Sequence, residues 1–236
     1  MKRDTGGGPT SPEGPGLGRG RSWTLAVLVF AGGLAYSNWL LEFVVHTGLD
    51  HVNSFLSQLE EPGHPYRALF VGGDLVSAAL LLIAAVLALV WSRPNRWYVA
   101  GWVLLGLFGA ATIADASNPM SGTAESEASR GLFPQLRHVH ALTSTAAVTA
   151  MFAAIIVFTV LVFRSRLFPV LRTVGVAFLA LLVLATLALA VGDNLEQHFG
   201  DHFALGVVQR LQVAAMSAWL ATLAFALCRG PFADGG

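Results

Sequence analysis

Residues able to move protons gather at one rim of a very apolar sequence. Asp115 closes its third long apolar run, and His140 and Ser144 stand four residues apart at the entry to the fourth. Four residues is about one helical turn, so His140 and Ser144 share a face. An acid and a base meeting there, beside a hydroxyl, are what general acid–base catalysis needs. Asp115, His140 and Ser144 are therefore the candidate catalytic residues. His198 and His202 are also four apart and, on a helix, would point the same way at zinc-ligand spacing. With His138 or His140 as a third ligand and an open position for water, they would make a hydrolytic zinc site. Against zinc, Gly200 between them weakens a helix by about 1 kcal/mol relative to alanine, and H-x-x-x-H alone is a pattern of low specificity.

A second group lies inside the apolar runs. Asn38, Glu42 and His46 recur at four-residue intervals and on a continuous helix would form one polar stripe. Asp74 comes about two turns into the next run, and Arg210 falls in the first two turns of the last. A charge in hydrocarbon costs roughly 3 kcal/mol or more, so each must face the bundle interior, water or a partner. Glu42 or Asp74 paired with Arg210 would offset much of that cost. Such a pair is either a pin between helices or part of an outward-facing pocket built from Asn38, Glu42, His46, Asp74, Asp115, His140 and Arg210.

What positions these residues is membrane helix. The 236 residues are 55% apolar and 12% charged, with a mean hydropathy of +0.64, whereas soluble domains average about 25% charged. Six windows each supply about 20 mostly apolar residues, enough to cross about 30 Å of hydrocarbon. They lie near Trp23–Val45, Ala68–Trp91, Trp97–Asp115, His138–Phe163, Phe168–Val191 and Ala204–Cys228. The expected fold is all-α, a polytopic bundle of six transmembrane helices. Residues 1–22, rich in Gly and Pro, read as a disordered tail, and residues 229–236 as a second, short one. A signal peptide is disfavoured because the first apolar run continues through Trp39–Val45. A net charge of zero predicts no nucleic-acid partner, and Cys228, the single cysteine, excludes an internal disulfide. One lysine against thirteen arginines, with abundant Ala, Gly, Leu and Val, suggests a GC-rich bacterial genome and hence a bacterial plasma membrane.

Charge counting sets the topology. The two tails and the second and fourth loops carry ten Lys and Arg, and the other three loops with their flanks carry four. The positive-inside rule then puts both termini in the cytoplasm. All seven histidines and eleven of the fourteen acids map to the outer side, which is thus the chemically equipped face. In the first outer loop Leu49, Val52, Phe55, Leu56 and Leu59 follow helical spacing and predict a short amphipathic helix at the interface, ended by Pro62-Gly63. It would cover the bundle or act as a lid.

These stretches resemble a known family. "YSNWLLEFVVHTGLDHVNSFLSQLEEPGHPYRALFVGGDLVSA", "DASNP", "SRGLFPQLRHVHALTS" and "GVVQRLQVAAMSAW" are similar to the membrane proteins called domain of unknown function 998. The resemblance implies a six-span bacterial membrane protein with no established activity, and Ser57, Asp74, Asp115, His140, Ser144 and Arg210 as the family's positions. The chain departs from the pattern at Ala116, near which the family commonly has loop cysteines, and at Gln58, where an acid is usual.

Three functions follow as expectations. The first is an enzyme or binding site for a lipid or lipid-linked ligand at the outer leaflet, supported by the one-sided histidines and acids. The second is a scaffold or assembly factor for a protein partner whose nature the sequence leaves unknown. A transporter comes third, since no span has an interior proline and no repeat relates the halves.

Overall fold

The structure, a computed structural model, describes residues 18–91, 95–118, 135–165, 169–199 and 203–229. Six α-helices account for most of them: α1 (Arg19–Tyr36), α2 (Arg67–Trp91), α3 (Arg96–Ser117), α4 (Gln135–Ser165), α5 (Pro169–Phe199) and α6 (Leu205–Arg229). Two 3-10 helices, Asn38–Phe43 and Leu56–Glu60, lie between α1 and α2, and no strand occurs among the described residues. Among the described residues six helical segments are long and apolar enough to cross a membrane. This is the all-α, six-helix architecture expected of a multi-pass membrane protein.

Each helix packs against its neighbours in sequence, and α1 closes on α6, so the six form a ring. Aromatic side chains plug its centre. Trp102 of α3 meets Phe158 of α4 edge-on at 5.6 Å, and Phe158 meets Trp219 of α6 at 5.9 Å. Alanines fill the seams, among them Ala78, Ala84, Ala88, Ala154 and Ala215, because small residues let helix backbones approach closely where lipid provides no hydrophobic drive. Large apolar side chains such as Phe30, Val86, Leu107 and Leu184 point outward, which suits a hydrocarbon solvent.

Three local expectations are corrected. First, the opening span is not one α-helix to Val45. α1 stops at Tyr36, where the Ser37 hydroxyl donates to Gly33 O at 3.0 Å, and the chain continues as the first 3-10 helix. With three residues per turn, positions four apart no longer share a face. Second, the first loop forms no continuous amphipathic helix; only Leu56–Glu60 is helical, and it tucks Leu59 and Glu60 inward against α2 and α6. Third, α1 begins at Arg19, so Arg19–Ser22 belong to the helix and not to the tail; residues 1–17 and 230–236 lie outside the described residues.

Candidate functional site

The 3-10 winding turns Glu42 toward α6. Arg210 donates from Nε to Oε1 and from Nη2 to Oε2, both at 2.6 Å. Glu42 is 2% and Arg210 6% exposed, so this is a buried two-pronged pair of the strong, directional kind. A further guanidinium nitrogen, Nη1, donates to Ser54 O at 2.8 Å and Gly206 O at 2.9 Å. Arg210 thereby ties the first loop to α6 as well as holding an acid. His51 Nδ1 stands 3.3 Å from Glu42 Oε2 without forming a hydrogen bond. The approach depends on Gly206, since a Cβ there would lie 2.5 Å from Ser54 O and 2.8 Å from Val52 O.

Beside this pair, above the aromatic plug, lies a cavity of about 110 Å³. Its polar wall includes Asn38, Glu60, Asp74, Asp115, His140 and Ser144. The Asn38 amide donates to Phe70 O at 2.6 Å and to Asp74 Oδ1 at 3.1 Å. It fits because Gly73 has no side chain; a Cβ there would strike the amide. From the second 3-10 helix the Glu60 carboxyl hydrogen-bonds the Asp74 carboxyl. Two carboxyls bond in this way only with a proton between them. Burial is the main force holding Glu60 above the ordinary glutamate range; the Asp74 hydrogen bond opposes the shift and the nearby Asp115 charge adds to it.

Asp115 anchors the other side. Its carboxylate accepts from the Thr143 hydroxyl at 2.6 Å and from Ser144 Oγ at 2.8 and 2.9 Å. His140 Nδ1 lies 3.1 Å from Asp115 Oδ1 and 3.1 Å from Asn118 O. Facing two acceptors, Nδ1 must carry the hydrogen, so Nε2 is the nitrogen left to exchange a proton. Asn118 is itself fixed as the cap of α3, its amide donating to Ala114 O at 2.8 Å.

The family model "Protein of unknown function (DUF998)" matches residues 29–226, from within α1 to near the end of α6. The chain belongs to the DUF998 family. No curated protein and no solved structure matches it.

In this DUF998 protein the fold brings together Asn38, Asp74, Asp115, His140 and Ser144 around one cavity, with Ser57 also on its wall. Glu42 and Arg210 stand next to the cavity as a closed pair. Of the two acids that could have met Arg210, Glu42 takes it and Asp74 bonds Asn38 and Glu60. His46 is exposed and does not line the cavity, a correction: the helix ends at Phe43 and His46 lies in the turn beyond it. The zinc expectation falls largely outside view: His202 is not among the described residues, the side chain of His138 is not described, and His198 sits exposed in the last turn of α5. Among the described residues no group of three candidate metal ligands gathers.

Sequence reasoning missed several wall residues of this DUF998 site: Glu60, Gln209, Gln212 and the aromatic Tyr36, Trp39 and Phe70. It also missed Thr143, which serves Asp115. Thr143 adjoins Ser144 and could have been found as a second hydroxyl on the same turn. Glu60 gave no signal of its own, being an acid off the apolar face of the helix expected in the first loop.

Proposed function

We propose that this DUF998 protein binds a positively charged group of the ammonium kind, presented by a lipid-type ligand from the outer leaflet, in the cavity at the end of its helix ring. The observation that carries the reading is the sign of the wall. Glu60, Asp74 and Asp115 face the cavity, and among the described residues no Lys or Arg lines it. Arg210, the one buried arginine among the described residues, is matched by Glu42. Tyr36, Trp39 and Phe70 add aromatic surface, and ring faces attract ammonium groups by about 0.5–2 kcal/mol each. The indole nitrogen of Trp39 is buried without a partner and would suit an acceptor such as the phosphate next to a lipid ammonium. Size supports a headgroup: a cavity of roughly 150 Å³ takes benzene, so about 110 Å³ holds a few heavy atoms while acyl chains stay in the bilayer. The excess of Lys and Arg in the tails and the second and fourth loops supports an outward-facing site.

Titration calorimetry with detergent-purified protein tests the proposal, using short-chain phosphatidylethanolamine, phosphatidylcholine and phosphatidylglycerol of equal chain length. Saturable binding of the two amine-bearing lipids and none of phosphatidylglycerol is expected; binding of phosphatidylglycerol as tight as theirs would reject it.

The contact of Ser144 and His140 with one carboxylate supports a second reading, acid–base chemistry on such a ligand. In a Ser-His-Asp triad the imidazole stands between acid and hydroxyl. Here Asp115 stands between them, so a proton leaving Ser144 would go to Asp115. Turnover of an amine lipid that disappears in Ser144→Ala would select this reading.

A further inference from the structure

Resting on the ammonium-binding reading, we infer that the cavity exchanges charge for charge: seating the cation beside Glu60 and Asp74 expels the proton these two carboxyls share. The two acids arrive from different elements, Glu60 on the second 3-10 helix and Asp74 on α2, and the chain holds both backbones firmly. Arg67 Nε donates to Glu60 O at 2.9 Å, and the Leu56 N–H that opens the same 3-10 helix donates to Gln209 Oε1 of α6 at 2.6 Å. Asn38 clamps Asp74 from the side. With the backbones fixed, the carboxyls cannot separate freely when they lose their proton, so two adjacent buried negative charges would remain. Such a pair is held to one charge unless a cation arrives.

The other charged and titratable groups facing Glu60 do not remove this constraint. Asp115 of α3 adds a negative charge, and Tyr36 of α1 brings a phenol, which in its ordinary state is uncharged. His140 of α4 and Arg67 at the start of α2 act on Glu60 favourably but more weakly than Asp74 and Asp115. Arg210 of α6 is engaged with Glu42. A ligand ammonium, lying between the carboxyls, supplies what these groups lack. The balance is simple: one proton leaves the Glu60–Asp74 pair for water as one positive charge enters, with no bond formed or broken in the ligand.

Proton and cation therefore compete for one site. The apparent affinity for an amine should rise about tenfold per pH unit while the pair is protonated, and level off above that range. The test measures binding of methylammonium chloride to the detergent-purified full chain, and in parallel of vesicles containing phosphatidylethanolamine, each in two buffers of different ionisation enthalpy. The difference in heat between buffers counts the protons released. Release of about one proton, lost in Asp74→Asn, is the expected result. Should Asp74→Asn not fold, the wild-type proton count and pH slope carry the test. Binding without proton release and with a flat pH profile would overturn the exchange while leaving the ammonium reading intact. Release that survives Asp74→Asn but vanishes in His140→Gln would overturn it in favour of the imidazole. No binding of either probe across the neutral pH range overturns the ammonium reading, and the exchange with it. Methylammonium binding without vesicle binding would identify the source as a free amine, and binding of both a lipid headgroup; either, with the proton released, supports the exchange.

Discussion

Arg210 grips Glu42 through two hydrogen bonds of 2.6 Å between α6 and the 3-10 segment that follows α1. The same guanidinium holds the first loop at Ser54 O. One side chain thus joins the first span, the last span and the loop that carries Glu60 over the cavity. Buried pairs of this kind add little over an apolar pair of equal volume, but breaking one strands a charge.

Arg210→Ala is accordingly expected to cost about 3–5 kcal/mol, read as a fall in the thermal unfolding midpoint of the detergent-solubilised protein. The double variant Glu42→Leu/Arg210→Leu should lose less than Arg210→Ala alone. A double variant less stable than the single would show that the pair matters for more than its charge balance.

Adjacent glycines on α2 should behave oppositely. At Gly73 a Cβ strikes the Asn38 amide, whereas at Gly72 it meets open space. Gly73→Ala should destabilise by about 1–3 kcal/mol, the usual cost of overpacking. Gly72→Ala should stabilise slightly, by up to about 1 kcal/mol from helix propensity. Equal midpoints for the two variants would contradict the close approach of Asn38.

Asn38 and His46, which a regular helix would place on one stripe, should separate on mutation. Asn38→Ala removes donors to Phe70 O and Asp74 Oδ1 and should cost about 1–3 kcal/mol. His46→Ala, at an exposed position outside the cavity, should leave both stability and amine-lipid binding unchanged. Unfolding curves and the calorimetric assay read the two effects; a loss of binding in His46→Ala would restore the stripe.

The pH dependence of stability has a definite sign at Glu60. Burial raises its folded-state value above the ordinary 4.5, so the folded protein holds a proton that the unfolded chain gives up. Stability from this group is complete below that ordinary value and is lost as pH rises through the raised one. Glu61, also raised by burial, acts in the same sense. Asp50, lowered chiefly by the Val52 N–H, acts in the opposite sense from an exposed position. Unfolding midpoints measured against pH should fall above the carboxylate range in the wild type and fall less steeply in Glu60→Gln. An unchanged slope in that variant would remove Glu60 as the source.

Much of this molecule is legible in its amino-acid sequence. Apolar runs of about 20 residues have few uses other than spanning a bilayer, so the six helices follow from composition and length. The need of Arg210 for an acid follows from the cost of a bare charge in hydrocarbon. Asp115, His140 and Ser144 could be grouped because they flank one loop, and helix geometry does the rest: α3 and α4 pack side by side, so the end of one lies beside the start of the other. Glu60 could not be foreseen. Its partner Asp74 lies on a different element, and only the inward fold of the Leu56–Glu60 turn brings the two carboxyls together. Which acid takes Arg210 was open between Glu42 and Asp74 for the same kind of reason. The sequence by itself determined that a buried cation, several buried acids and six membrane helices must be reconciled. Tertiary structure decided how, because tightening from 3.6 to about three residues per turn after Tyr36 rotates Glu42 onto α6, and the turn that follows Phe43 leaves His46 at the surface.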